Sequence, residues 1–377
     1  MNMSLRSNNM RRYLYIFCGL LTLLASCQKS GYDMSQGQPI YLSVSLDSDP
    51  LTKTPFEGDA PTTSNPLNVA VWASTTAKSY VNNGWDGSAA VEHKVAIHTQ
   101  GRFQSGAPQL LSQAIYPPPR QGASGSYTAD PVYFVAMHPQ DSWSTTNGAQ
   151  ASFTFKGCED VMFAPEVFGA YDTKEQTQVV NDSPVLAFEH LLTRITVKMG
   201  IVLAEGENLQ DVQEAWGKIT DLKIQTYHMD GYGINLNKVT IDLSQGADFS
   251  YDTDLAFSGQ QDSSMDFYTL GTDNKFPSEN GYLLTEKIDS VAYVMCAPVI
   301  ATAEDHEYVI IVETENRGVQ ELKLDLQKTA TSADGTGSTR GNHFLATLKF
   351  KKGRAIAMEA IVTEWKNGGF GIGDIED

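Results

Sequence analysis

Seven histidines invite a search for chemistry: His93, His98, His138, His190, His228, His306 and His343. His93 and His98 stand five apart in a strand-like run, which turns them to opposite faces and keeps them from sharing a metal. There is no HExxH, GxSxG or Ser-Lys pattern, no CxxC and no zinc spacing. The stretch Ala333-Asp-Gly-Thr-Gly-Ser-Thr-Arg-Gly341 lacks the Gly-Lys-Ser/Thr that cradles phosphate, and its glycines predict a mobile hairpin loop. Asp252, Asp254, Asp262 and Asp266 miss the calcium-loop spacing and read as an acidic solvated loop. Among 45 acidic residues no carboxylate pair stands out for glycoside hydrolysis. Tyr80, Trp85 and Trp143, in polar Gly- and Asn-rich surroundings, form either a sugar-binding platform or plugs at loop ends. No catalytic residue, no metal site and no cofactor is expected.

The cysteines carry a clearer signal. Arg11 and Arg12 precede a 12-residue apolar run, Tyr13 to Leu24, too short to span a bilayer but suited to the core of an export signal. It ends in Leu24-Ala25-Ser26-Cys27, the pattern cut by lipoprotein signal peptidase, which leaves Cys27 acylated and the chain anchored to a membrane. Met10 is a plausible true start. Cys18 leaves with the signal. Cys158 and Cys296 remain; an oxidising envelope would let them pair, but the apolar run around Cys296 favours a buried thiol.

The chain has 377 residues, 41% hydrophobic and 19% charged, with a mean hydropathy of -0.27. That supports real cores and excludes a disordered chain or a multi-span membrane protein. The net charge of -18 argues against nucleic acid as a partner. Removal of the signal with Arg6, Arg11 and Arg12 leaves 24 basic residues against 45 acidic, a net -21.

The elements are strands. Ile40 to Leu46 alternates cleanly, with Ile40, Leu42, Val44 and Leu46 on one face. A long Asp-, Pro- and Thr-rich loop containing Lys53-Thr54 follows. Further strands are expected at Leu67 to Ala73, Val91 to Ile97, Val132 to Met137, Ala151 to Phe155 and Val185 to Phe188. The second half adds Leu192 to Val202, Lys218 to Tyr227, Lys238 to Leu243, Ser290 to Pro298, Tyr308 to Glu313, Val319 to Leu326, Phe344 to Phe350 and Ala355 to Trp365. Hairpin signals lie at Met229 to Gly233 and Asn316 to Gly318, and a short helical turn near Gln210 to Trp216. No long amphipathic stripe appears, so the class is all-β, with two antiparallel β-sandwich domains. The divisions are 1-26 signal, 27-39 tether, 40-180 first sandwich (40-53 being its lead strand and loop) and 181-377 second sandwich.

Several stretches together resemble the fimbrillin family, the pilin-like lipoproteins of Bacteroidota surface fimbriae. The most specific is Leu186-Ala-Phe-Glu-His-Leu-Leu-Thr-Arg-Ile-Thr-Val-Lys198, with Phe188, His190, Leu192 and Ile195 at the motif positions. Tyr133-Phe-Val-Ala-Met-His-Pro139, Asp160-Val-Met-Phe-Ala164, Ile219 to Ile224, Gly341 to Phe350 and Ile361-Val-Thr-Glu-Trp365 follow in the right order.

The resemblance implies transthyretin-like, Greek-key sandwiches, no catalysis, and a surface-exposed outer-membrane lipoprotein held by lipid on Cys27. It implies that a trypsin-like maturation protease removes the first strand, and that a strand from the C-terminal region of another subunit, of the same or another type, refills the groove. The family has Arg at the cut; here Lys53 takes its place. Either a less strict protease cuts between Lys53 and Thr54, or the subunit keeps its strand and serves as an anchor or minor component. The donor would be Ile356, Met358, Ala360, Val362 and Trp365, with the acidic tail Asn367 to Asp377. A surface glycan-binding lipoprotein is the alternative function.

Overall fold

The computed structural model describes residues 40–46, 66–80 and 96–103, most of 111–324 with short breaks, 339–353 and 355–363. The signal, Cys27, Lys53, Thr54, Trp85, Trp365 and the acidic tail lie outside the described residues.

The first half runs β1 (Ser43–Leu46), β2 (Leu67–Ser74), β3 (Ala96–Phe103), β4 (Pro119–Gln121), β5 (Tyr127–Ala129) and β6 (Val132–His138). It continues β7 (Ser144–Thr146), β8 (Gln150–Thr154), β9 (Met162–Asp172), β10 (Gln178–Asn181) and β11 (Val185–His190). The second half begins β12 (Thr193–Ile201), helix α1 (Leu209–Trp216), β13 (Ile219–His228), β14 (Gly233–Ile234) and β15 (Lys238–Asp242). A 3-10 segment (Leu243–Asp248), β16 (Leu255–Ser258), β17 (Met265–Thr269), β18 (Lys275–Phe276) and β19 (Asp289–Cys296) follow. The last strands are β20 (His306–Thr314), β21 (Gly318–Leu324), β22 (His343–Phe350) and β23 (Ala357–Thr363). The protein is all-β, with one short helix among the described residues.

A seven-stranded sheet is ordered β1-β11-β9-β6-β2-β3, with β10 beside β9; a ten-stranded sheet is ordered β21-β20-β13-β17-β19-β12-β22-β23, with β14 on β13 and β18 on β17. A small sheet, β16-β15-β8-β7, completes the first sandwich. Tyr308 of β20 packs 6.4 Å from Phe344 of β22, although five places separate these strands. The larger sheet therefore folds back over its own core.

Three expectations are corrected. Each large sheet carries a parallel pair, β1 on β11 and β12 on β22, so the sandwiches are not wholly antiparallel. Residues 181-377 do not stay together: β11 joins the first sheet, and β15 pairs with β8. Strand β9, central to the first sheet, was not anticipated, because Pro165 interrupts its apolar run. The ladder absorbs that proline at a register shift opposite Phe134 and Ala136, where a missing N–H is tolerated.

Both faces of the first sheet are buried. Ala70, Trp72, Val135, Met137 and Phe163 share a core with Phe153, Val239 and Ile241 of the small sheet, while Leu67, Val69, Val71, Phe134, Leu186 and Phe188 form a second cluster. The small-sheet side is sealed by the 3-10 segment. Glu166 accepts from the Tyr80 hydroxyl at 2.6 Å and the Lys78 N–H at 2.8 Å. Gly246, at φ +58, passes so close that an added Cβ would lie 2.7 Å from Glu166 Oε1. Gly246→Ala is therefore expected to cost about 1–3 kcal/mol from the left-handed backbone alone, with a further loss because Glu166 is pinned from two sides. A fall in the urea midpoint at unchanged slope checks this.

In the second sandwich α1 is held by its ends. Asn208 caps its start through the Asp211 N–H. The expected hairpin at Asn316 to Gly318 reaches its other end, where Asn316 and Arg317 donate to the carbonyls of Glu214, Ala215 and Trp216.

Candidate functional site

The lead segment lies where its alternation predicts. Ile40 and Leu42 are fully buried in the second cluster, Val44 packs partly against it, and Tyr41 projects outward. Leu46 pairs with Phe188 in the ladder. The Ile40 N–H bonds the Ile115 carbonyl at 2.9 Å and the Ser43 N–H bonds the Pro184 carbonyl at 3.0 Å. Four residue pairs, Ser43–Val185 to Leu46–Phe188, then join β1 to β11 in parallel. Among the described residues, β11 is the one strand that β1 pairs with.

Beneath β1 lies a trough walled by Leu186 and Phe188 of β11, Phe134 of β6, Leu67 and Val69 of β2, and Leu111 and Ile115. Removing this lead segment would uncover these side chains and free the edge of β11, yet break no other ladder among the described strands. An edge strand is the one kind that can be exchanged at that cost.

The motif residues carry the chain from one core to the other. Phe188 closes the trough, and Leu192 and Ile195 enter the second core. Between them His190 is buried, its Nδ1 3.0 Å from Asp160 Oδ1. The Leu191 N–H bonds the Val161 carbonyl, and Gly341 donates to the Leu192 carbonyl. His138 Nδ1–H donates to the Asn68 carbonyl at 2.8 Å. The three stretches containing His138, Asp160 and His190 thus converge on one end of the trough. Sequence inspection singled out only His190, since strands far apart in the chain bring its partners.

At the other end of the fold, β23 is an edge strand too, paired antiparallel to β22 from Lys349–Ala357 to His343–Thr363. Ile356 is buried, Met358 and Ala360 are partly buried against the core, and Ile361 is exposed. Val362 pairs with Phe344.

The rival features resolve as packing. Tyr80 is buried against Glu166, and Trp143 packs on Phe153 at 5.2 Å with its indole N–H on the Pro139 carbonyl. Neither offers an open sugar platform. Cys158 and Cys296 are both free thiols. Burial, aided by the Glu159 charge, pushes the Cys158 thiol up to about 11; burial pushes Cys296 to about 12. Neither is a thiolate at neutral pH.

Asp254 caps the Ser250 N–H and Asp266 pairs with Lys275, while Asp252 and Asp262 lie outside the described residues. Among the described residues no group of histidine, cysteine, aspartate and glutamate could hold a metal. From the Gly-rich stretch, Thr339 is buried in a network with Thr193 and Tyr308, and Arg340 bonds Glu189 at 2.7 Å while stacking on Tyr251. Residues 333–338 lie outside the described residues.

No protein-family model and no curated protein matches the chain. Solved structures similar to it include a proposed cell adhesion protein from Bacteroides uniformis, at 14% identity and TM-score 0.43, covering 87% of this chain and 98% of that one. A fimbrial protein from Bacteroides vulgatus has 14% identity and TM-score 0.37, covering 87% and 99%. The fimbrial anchor protein Mfa2 from Porphyromonas gingivalis has 11% identity and TM-score 0.37, covering 87% and 98%. These three solved structures are described as fimbrial or cell adhesion proteins.

Proposed function

We propose that this chain is a structural, non-catalytic subunit of a cell-surface fimbria, exported as an outer-membrane lipoprotein through Cys27 and assembled by strand exchange. The observation that carries the reading is the lead segment: Ile40 and Leu42 are buried just ahead of β1, a short parallel strand at the sheet edge among the described residues, and Lys53 follows it in the sequence. Burying each of those side chains is worth about 1.5–3 kcal/mol. Their removal leaves an apolar trough beside unpaired N–H and C=O groups, which another extended strand would fill.

The chain supplies such a strand. Ile356, Met358, Ala360 and Val362 repeat the two-residue spacing of Ile40, Leu42, Val44 and Leu46. Laid parallel to β11, β23 of a neighbouring subunit would place one set where the other stood. To do so it must leave β22, its one ladder partner among the described residues. The partners are other fimbrial subunits, of the same or another type, and a trypsin-like protease that cuts between Lys53 and Thr54. For the alternative, a glycan-binding lipoprotein, Tyr80 and Trp143 are packed and offer no open platform, while Trp85 lies outside the described residues.

Treating the purified chain with a trypsin-like protease is expected to give a new N-terminus at Thr54, followed by SDS-resistant ladders. Lys53→Ala should stay uncut and monomeric. A chain that remains monomeric after clean loss of everything up to Lys53 would sink the strand-exchange reading.

A further inference from the structure

Lys78 is the one residue other than glycine with a positive φ among the described residues, at +60. A left-handed backbone is disfavoured for such a side chain and persists only where the surroundings enforce it. Here they do. The Lys78 N–H donates to Glu166 Oε2 at 2.8 Å, and the Tyr80 hydroxyl donates to the same oxygen at 2.6 Å. From the other side Gly246 passes so close that an added Cβ would lie 2.7 Å from Lys78 Cγ. Upstream, Ser74 Oγ accepts from the Thr76 N–H and donates to the Thr76 carbonyl, which fixes the start of the same loop.

Glu166 is aimed by the strand that carries it. Ala164 lies opposite Ala136 and Val167 opposite Phe134, so β9 carries one residue more than β6 at this point. A bulge of this kind turns the residues beyond it to the other face. Without it Glu166 would share the trough face of Ala164. With it the carboxylate meets Tyr80 on the small-sheet side.

A cut in this loop would matter. Lys78 stands among small polar residues at the surface, its side chain 43% exposed and paired with Asp248. Such loops are preferred sites of proteolytic nicking. Cleavage after Lys78 would leave β2, which lies between β6 and β3 and supplies Leu67 and Val69 to the trough, held by ladders alone. A trypsin-like protease takes its substrate as an extended segment, with the basic side chain in an acidic pocket. Lys78 to Tyr80 present the reverse: a left-handed residue, an N–H already bonded, and a tyrosine 1% exposed.

We infer that Glu166 withholds the Lys78–Ser79 bond from a trypsin-like protease, so that loss of the lead segment leaves β2 covalently in place. The bearing on assembly rests on the strand-exchange reading; the protection itself does not. The Asp248 pair adds little, because both of its side chains are exposed and solvent screens them. The hold is on the backbone. Cutting requires the loop to open, and its rate follows the population of the open form.

The test is limited trypsin digestion of the intact chain, with fragments identified by mass and N-terminal sequence. The Arg102–Phe103 bond, in β3 opposite Asn68 and Leu67, reports opening of the first sheet as a whole. After unfolding in urea both bonds should be cut. In the folded chain, fragments beginning at Ser79 should be absent until those beginning at Phe103 appear. Glu166→Ala should raise the Ser79 fragment about ten- to a hundredfold relative to the Phe103 fragment, the effect of losing a hydrogen bond to a charged group. Glu166→Gln keeps an oxygen for the Lys78 N–H and should stay close to the natural chain, as should Asp248→Ala. Should Glu166→Ala fail to fold, Tyr80→Phe, which keeps the ring and drops the hydroxyl, should raise the same ratio about tenfold. Early cutting after Lys78 in the natural chain, an unchanged ratio in the variant used, or an equal effect of Asp248→Ala would each overturn the assignment. Cleavage at Lys53 and ladder formation are read separately, so a chain that guards Lys78 but never polymerises fails only the strand-exchange reading.

Discussion

Phe188→Ala is expected to destabilise the first sheet by about 3–5 kcal/mol, the usual cost of emptying a fully buried aromatic site. The ring is 1% exposed and belongs to the cluster that Ile40 and Leu42 complete. Its ladder partner is Leu46, so the cavity opens under the distal end of β1. The relaxation available is small, because Phe134 and Ala136 of β6 and Met162 and Ala164 of β9 already fill that face. Urea unfolding should show a lower midpoint with little change in slope. Val185→Ala on the same strand is the control: Val185 is 48% exposed and should shift stability by no more than about 0.5 kcal/mol. If β23 of a neighbour takes the place of β1, the Phe188→Ala ladders should also dissociate at a lower temperature in SDS. Equal losses for Phe188→Ala and Val185→Ala would contradict the assigned facing of β11.

Asp160→Ala should cost about 1–3 kcal/mol, because it removes a buried carboxylate that lies 3.0 Å from the buried His190 Nδ1. His190 then keeps a buried Nδ1 whose 3.0 Å acceptor is gone. Asp160→Asn retains an oxygen for that bond and should lose much less. Calorimetry at pH 7.5 separates the two variants. An alanine variant as stable as the asparagine one would show that the pair contributes nothing.

The strand content was legible because alternating apolar residues define a buried face without reference to any neighbour. Ile40 to Leu46 and Phe344 to Phe350 fold as that pattern requires, while Leu67 to Ala73 forms a strand buried on both faces. Strand β9 escaped because Pro165 breaks the local signal, and only a bulge in β9 itself, opposite Val135 of β6, accommodates it. The site was half legible. The alternation of β1 and the motif histidine were visible, whereas the partners of His190 were not. His138 and Asp160 reach it through β6 and the turn before β9, a juxtaposition that depends on sheet order and leaves no mark on spacing. The Gly-rich stretch misled for a related reason: its final residues are fixed by long-range bonds from Thr339 and Arg340.

Local chemistry alone thus determined the strand class, the acidic charge and the two apolar alternations at Ile40 to Leu46 and Ile356 to Val362. Those properties depend on side-chain type and a period of two, which are local. Tertiary structure decided that, among the described residues, both alternations lie on sheet edges with a single strand neighbour each, that the first runs parallel to β11, and that His190 pairs with Asp160 at the end of the trough beneath it. Pairing order is a property of the whole chain, since each edge exists only because every other strand has found two partners or an end.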